Sequence, residues 1–290
     1  MAQAEQEQLL SREVERAIDM LKSGSTREQV KMEIMSVNPQ LGNAEASLLA
    51  DRAIVAASRD LMENAHIWDR KVLTKDNCDW VTSWDYIREN FQPGDRVALV
   101  FIRDRGNGQQ DVQQRFMDRD QAAGVKGNSV MKAWTAQGYN AYIAMNTIAP
   151  GMETRRLDAI QDVRNLYLDL DTGGREKLKL LMEAQEVPKP NYVLNTSPEK
   201  YQVVWKVDGF DKPEASEALR ALQEAYGGDP AAKDLARVFR IPGFQNRKYP
   251  ERHVVMAARL REETAVPHEF DIEAAVTKAA ENVQRSVDRG

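Results

Sequence analysis

The apolar positions of the chain change period along its length. Over residues 1–65 they recur at helical spacing. Val14, Ile18 and Leu21 mark a first helix; Val30, Ile34 and Met35 mark a second behind a Ser25–Glu28 capping-box pattern. Asn38-Pro39 and Leu41-Gly42-Asn43 break the pattern, and a third helix is expected over roughly Ala44–Asn64. After the Trp68, Trp80 and Trp84 stretch the period shortens. Strands are predicted at Arg96–Ile102, Tyr139–Met145, Arg164–Asp171, Asn191–Leu194, Gln202–Val207 and Val254–Leu260. Between them the pattern predicts helices at Gln113–Ala123, Ser129–Gln137, Arg175–Gln185, Lys212–Tyr226 and Ala231–Phe239, and an amphipathic terminal helix at Asp271–Val287. Mixed strands and helices over this length point to an α+β or α/β unit of catalytic size. The expected division is a helical segment over 1–65, a core over 66–262 and a C-terminal helix over 263–290 that starts a further helical domain if the chain is a fragment. The mixed charge of the first segment favours packing over contact with DNA or a partner.

Composition narrows the chemistry. The 290 residues are 42% hydrophobic, as suits a soluble globular protein, with no apolar run of membrane-spanning length and no secretory signal. The expected location is cytoplasmic, with no membrane partner. Cys78 is the only cysteine, which excludes an intrachain disulfide and a Cys-rich zinc site. His66, His253 and His268 lack metal-ligand spacing. The net charge of −5 argues against a uniformly basic nucleic-acid coat, but Arg237, Arg240, Arg247, Lys248 and Arg252 form a local basic cluster, as do Arg103, Arg105, Arg115 and Arg119 with acids between them.

Three stretches carry candidate chemistry. In Leu166-Tyr-Leu-Asp-Leu-Asp171, strand alternation turns Asp169 and Asp171 to one face and Leu168 and Leu170 to the other. Adjacent carboxylates repel, and a hard divalent cation with oxygen ligands is the usual remedy. Asn195–Trp205 is a polar turn leading into a strand, where Ser197, Lys200 and backbone amides suit phosphate and Gln202 faces the same site. Gly228–Lys248 adds a third carboxylate, Asp229 or Asp234, then Arg237 and Arg240 at a separation that puts both on one face of a helix, then Lys248. Three acids with a distal basic cluster suit metal-dependent chemistry on a nucleoside triphosphate.

Taken in order, these stretches resemble the motifs of the archaeo-eukaryotic primase (primase-polymerase) superfamily, and most closely the RepB-type DNA primases of plasmids and mobile elements. Asp169 and Asp171 match the hydrophobic-Asp-hydrophobic-Asp strand. Ser197 to Gln202 match the Ser-x-His-like turn and strand, with Gln202 where the family has histidine. Asp229 or Asp234, through Arg240-Ile-Pro-Gly243 to Lys248, matches the third motif; Asp229 is favoured because it lies far enough before the arginines to reach back to Asp169 and Asp171. The resemblance covers roughly Trp68 to Leu260.

The resemblance implies an α+β fold with an RRM-like catalytic core and helical extensions at both ends. It implies a nucleotidyltransferase, a template-directed DNA primase with primase-polymerase activity as an extension. Such an enzyme synthesises primers on single-stranded DNA for replication of a plasmid, phage or integrated element. Two Mg²⁺ or Mn²⁺ ions would be held by Asp169, Asp171 and Asp229, and the triphosphate by Ser197, Lys200, Gln202, Arg237, Arg240 and Lys248. Partners are a single-stranded DNA template, ribo- or deoxynucleoside triphosphates and, by family analogy alone, a replicative helicase. Tyr139, Tyr142 and Trp134 are candidate stacking aromatics, with core packing the plainer role for each. The alternatives are a catalytically weakened replication-initiator or single-strand-binding module, which Gln202 supports because an amide does not titrate, and a metal-dependent nuclease. A plasmid-mobilisation relaxase is disfavoured because no paired-histidine motif is present.

Overall fold

The computed structural model describes residues 12–17, 20, 27–47, 49–50, 53, 79–106, 108–229, 234–248, 253–277 and 280. Ile18, Leu21, the Ser25 cap, the Trp68–Cys78 stretch, Arg252 and the end of the terminal helix lie outside these residues.

In the N-terminal segment, helix α1 (Arg27–Val37) and the helical residues 12–17 and 43–47 gather a small core of Ala17, Val30, Ile34, Ala46 and Leu49. The main body follows: β1 (Asp79–Val81), α2 (Ser83–Asn90), β2 (Arg96–Asp104), β3 (Gln110–Asp118), α3 (Arg119–Ala122), α4 (Val125–Ala136), β4 (Asn140–Ala144), β5 (Asn165–Leu170), α5 (Gly174–Met182), β6 (Tyr192–Ser197), β7 (Lys200–Lys206), α6 (Lys212–Tyr226), β8 (Val238–Arg240), β9 (Gln245–Asn246), β10 (His253–Val254) and β11 (Met256–Arg259). Local sequence explains several boundaries. Thr82 accepts from the Asp85 N–H to start α2, and an Asp211–Glu214 capping box starts α6 with a proline in its first turn.

Two antiparallel sheets form the body, one in the order β1-β11-β6-β7-β5 and the other β3-β2-β4-β8. One hydrophobic core joins them, from Leu99, Phe101 and Ile143 of the second sheet to Tyr167, Leu194 and Trp205 of the first. The mixed architecture is the expected α+β class. Among the described residues no helix is long and apolar enough to cross a membrane.

Three expected elements come out differently, and a fourth lies partly outside the described residues. The helix expected over Gln113–Ala123 is strand to Asp118 and a short helix after it. Phe116 packs on one face of β3 and Met117 on the other, and nine-residue pairing with β2 outweighs the helical propensity of the glutamines. The helix expected over Ala231–Phe239 is absent from its described part. Val238–Arg240 pairs with β4, because Phe239 is buried against Tyr167 at 5.0 Å between ring centroids. Arg237 and Arg240 therefore lie at strand spacing and point to opposite faces, instead of sharing a helix face. The strand expected over Val254–Leu260 is broken at Val255, whose N–H donates to the Phe244 carbonyl at 3.0 Å and whose carbonyl accepts from Gly243. The helix expected over Asp271–Val287 is seen at residues 272–277 and 280.

The two sheets meet where Tyr167 of β5 packs on Phe239 of β8. Asn146, fully buried just after β4, accepts from the backbone N–H groups of Arg164 and Asn165 at 2.8 and 3.0 Å and donates to the Leu235 carbonyl at 3.1 Å. Beside it Arg164 forms a two-pronged ion pair with the buried Asp95 at 2.9 and 3.0 Å, and the Tyr167 hydroxyl donates to the Asp234 carbonyl. Removing the Asn146 carboxamide strands two N–H groups and one carbonyl in the core, at about 1–3 kcal/mol each. Asn146→Ala is expected to lower the unfolding free energy by about 3 kcal/mol in a urea titration; a loss below about 1 kcal/mol would contradict this role for the carboxamide.

Candidate active site

The seam opens into a cleft of about 330 Å³. One wall is Asp169 and Asp171 at the end of β5, with Thr196, Ser197, Lys200 and Gln202 from the β6–β7 hairpin. The other is Ile102, Asn140, Tyr142, Val238 and Arg240 from the second sheet, and the loop Asn246-Arg247-Lys248 closes one end. Leu168 and Leu170 are buried in the core, so strand alternation does turn the aspartates away from it.

Each wall is fixed by hydrogen bonds that leave its charged groups facing the cleft. The hairpin turn Ser197-Pro-Glu-Lys200 holds Glu199 at φ 59°, the left-handed region, and its carbonyl lies against the start of α5. A Cβ on Gly174 would sit 2.3 Å from that oxygen, so only glycine allows the close approach. On the opposite wall Arg240 is buried with its guanidinium 4.8 Å from the Tyr142 ring centre, and donates to Asn140 Oδ1 at 3.0 Å. The same oxygen accepts from the Arg247 N–H at 2.7 Å. Asn246 donates to the Thr196 carbonyl at 2.6 Å and accepts from the Lys248 N–H at 3.0 Å, tying the basic loop to the hairpin.

Gln202 joins the walls. Its Oε1 accepts from the Arg240 N–H at 3.0 Å, and its Nε2 donates to Asp169 Oδ2 at 3.4 Å. Asp229 reaches the same point by its backbone, whose N–H donates to the Asp169 carbonyl at 2.8 Å. Burial, and after it the charge of Asp171, push the Asp169 carboxyl up to about 6; Asp229 adds to the rise, while the Gln202 bond and Arg240 oppose it. Lys200 Nζ lies 3.5 Å from Asp171 Oδ2.

Of the residues picked from sequence, Asp169, Asp171, Ser197, Lys200, Gln202, Arg240 and Lys248 line one cleft. Asp229 stands behind it, bonded to Asp169. Arg237 is outside the lining, 3.3 Å from the exposed Asp234. Tyr142 lines the cleft, whereas Trp134 and Tyr139 pack beside Phe101 under α4. Asn140 and Asn246 were missed; Asn140 could have been found as the residue two before Tyr142, on the same strand face. Among the described residues no group of three or more His, Cys, Asp and Glu side chains is arranged to hold a metal ion. Asp169 and Asp171 nonetheless form a pair of hard oxygen donors, and the raised Asp169 is a carboxylate short of positive charge. That pair fits a divalent cation.

Two outcomes follow from this geometry. With its folded pKa near 6 and its ordinary value at 3.8, Asp169 holds its proton in the folded state while the unfolded chain ionises. Its ionisation therefore disfavours folding increasingly as pH rises from about 4 to 6, and by a constant amount above. In metal-free protein Asp169→Asn should raise the unfolding free energy at pH 7, by roughly 1–2 kcal/mol after discounting for its partial exposure, and change it little at pH 3.5 or below, as read from urea titrations. Gly174→Ala should force the Glu199 carbonyl and the Ser197–Lys200 turn away from α5 and lower the unfolding free energy by about 1–3 kcal/mol in a urea titration. An unchanged free energy would show that the turn moves aside without cost.

Comparison with known proteins gives a consistent assignment. A family model described as the RepB DNA-primase N-terminal domain matches residues 109–281, more than half of the chain. A replication protein of Clostridium perfringens is 32% identical over 124 residues, which are 38% of this chain and 30% of that protein. Mobilization protein A of Escherichia coli is 29% identical over 163 residues, 54% of this chain and 19% of that one. The chain thus matches less than a third of the length of either relative. Among solved structures, the AEP domain of the cyanophage S-2L primase-polymerase aligns with a TM-score of 0.51 and 16% identity, covering 72% of this chain and 99% of that domain, and so shares the fold. The family model spans the hydrophobic-Asp-hydrophobic-Asp strand and the arginine that faces it across the cleft, and since it matches more than half of the chain, this chain belongs to the RepB DNA-primase N-terminal domain family.

Proposed function

We propose that this chain is a template-directed DNA primase that makes primers on single-stranded DNA by two-metal nucleotidyl transfer. It would serve the replication of a plasmid, phage or integrated element, with ribo- or deoxynucleoside triphosphates as substrates. The observation that carries this reading is one cleft with Asp169 and Asp171 on one wall, Arg240 on the other and Arg247 and Lys248 closing one end. Charge is thereby divided as a nucleotidyl transfer needs it, anionic where cations gather and cationic where phosphates lie. In this reading residues 66–262 are the catalytic unit, flanked by the helical segments 1–65 and 263–290.

Asp169 and Asp171 would hold Mg²⁺ or Mn²⁺, with Asp229 as the third acid. Such ions would supply acidity to the attacking 3′-hydroxyl and positive charge for the leaving pyrophosphate. Arg240, already oriented by Asn140 and Tyr142, donates to the triphosphate at no further ordering cost. Lys248, Lys200 and Ser197 complete the phosphate contacts. Gln202 keeps Asp169 and Arg240 at a fixed separation; lacking an imidazole, it moves no proton. That last feature also favours the second reading, a module that keeps the fold and binds single strands without synthesis.

Primer synthesis on unprimed single-stranded DNA, with each nucleotide pool and each metal tried separately, tests the proposal. Short products are expected from the parent chain and none from Asp169→Ala/Asp171→Ala. Arg240→Ala should raise the KM for nucleotide at least tenfold, from the loss of charge-assisted hydrogen bonds. Strand binding by both proteins with no product under any condition would favour the binding module. Degradation of the strand without nucleotides would favour a nuclease.

A further inference from the structure

Beside the cleft, on the face of the second sheet that α4 covers, the side chains form a chain of alternating charge and aromatic ring. Arg115, exposed on β3, lies with its guanidinium 5.1 Å from the Trp134 ring centre. Trp134 meets Tyr139 edge-on at 5.0 Å. The Arg103 guanidinium sits 4.5 Å over the Tyr139 ring, and the Tyr139 hydroxyl donates to Asp111 Oδ2 at 2.8 Å. Asp111 also pairs with Arg103 and Arg105, each at 3.2 Å. All lie on or beside the β2–β3 hairpin, where Arg103 stands directly opposite Asp111 in the antiparallel register.

Three features say what this ladder meets. The rings face inward and Tyr139 is buried, so the outer layer is guanidinium and not π surface. Arg103 and Arg105 share the Asp111 carboxylate and Arg115 stands further along β3, so with Asp104 the ladder carries three arginines against two acids, a local positive excess on a chain whose net charge is −5. The Tyr139 hydroxyl, then Gln113, hold the Asp111 carboxyl down to about 2, so this acid stays ionised and keeps Arg103 and Arg105 in place. The ladder is also continuous with the cleft: Arg103, Asp104, Gln110 and Gly138 form its rim at this end. From that rim to Arg115 the strand advances four residues, roughly 13 Å. Stacking holds each guanidinium flat, and beyond the bonds of Arg103 to the Gln137 carbonyl and Asp111 and of Arg115 to the Gln114 carbonyl, its five N–H groups include further donors for a phosphate oxygen.

We propose that the Arg103–Arg105–Arg115 ladder is the track along which the phosphate backbone of the single-stranded template passes between the cleft and solvent, a deepening that rests on the template-copying reading above. It grips sugar-phosphate and not bases, so it acts without regard to sequence and lends most of its affinity through counterion release. Arg103, at the rim, stands in the middle of the track, with Arg105 beyond it at the hairpin tip and Arg115 four residues along β3 in the other direction.

The test is binding of a fluorescent thymidine oligonucleotide to the full chain by anisotropy, without nucleotide or metal, across a range of NaCl concentrations. Arg105→Gln/Arg115→Gln should weaken binding several-fold and reduce the slope of log K against log salt by about 1.4, since each phosphate contact to a single strand contributes about 0.7. Arg220→Gln/Lys179→Gln, which removes the same charge from the exposed faces of α6 and α5, should leave the slope unchanged. Asp111→Asn, which removes the acid paired with Arg103 and Arg105, should tighten binding. An Arg105/Arg115 variant that melts like the parent and matches the α5/α6 control in slope overturns the proposal. So does an Asp111→Asn variant that binds no tighter, or a parent that does not bind the oligonucleotide. Because no synthesis is required, the two readings fail separately. A chain that binds through the ladder but makes no primer overturns the primase reading alone, and one that makes primers with an unchanged slope in the variant overturns the ladder alone.

Discussion

The structure depends on how two antiparallel sheets are joined across the Tyr167–Phe239 contact, and a neutral amide does this twice. Asn146 binds the backbone at the start of β5 and the carbonyl of Leu235 before β8. Gln202 binds the Arg240 backbone and the Asp169 carboxylate at the other end. A carboxamide offers an acceptor and two donors with no net charge, so it can satisfy backbone groups from both sheets inside a core that would penalise an ion. The Tyr167–Phe239 contact fills the space between these two points. Every distance across the cleft follows from this seam.

The seam explains how a half-buried carboxylate is tolerated. Asp169 lies between Asp171 and Asp229 with part of its surface removed from water, which makes its ionised form costly. The rigid scaffold holds it there because the carboxylate cannot turn away without giving up the Gln202 bond. On the facing wall Arg240 is held in the same manner, stacked on Tyr142 and bonded to Asn140. Opposite charges are thus held apart across open space instead of neutralising each other, an arrangement suited to a charged ligand that enters between them.

Elements with a clear period were legible in the sequence. The Arg96–Ile102 strand, the acidic strand and the Lys212–Tyr226 helix carry their own signals: a continuous apolar run, strict alternation, and a capping box followed by an amphipathic stripe. The Gln110–Asp118 and Val238–Arg240 strands carried no such signal. Each forms because a partner strand supplies its hydrogen bonds, the preceding Arg96–Asp104 strand for the first and the distant Asn140–Ala144 strand for the second, and local composition does not record that.

The sequence by itself determined which residues have the chemistry: the Asp169–Asp171 pair by strand alternation, and Ser197, Lys200, Arg240 and Lys248 by their order within the motifs. Only the tertiary structure decided which of them share the cleft. Arg237 was chosen with Arg240 on helical spacing, but a strand sends residues three apart to opposite faces, and pairing with β4 turns Arg240 into the cleft and leaves Arg237 beside Asp234. Asp229 reaches Asp169 through the backbone after the turn at Gly227, while Asp234 remains exposed. The physical reason is the same in each case. Side-chain type and local period are properties of a few neighbouring residues, whereas the direction a side chain faces is set by its strand's partner, which here lies up to about a hundred residues away, as for Asn140 and Arg240.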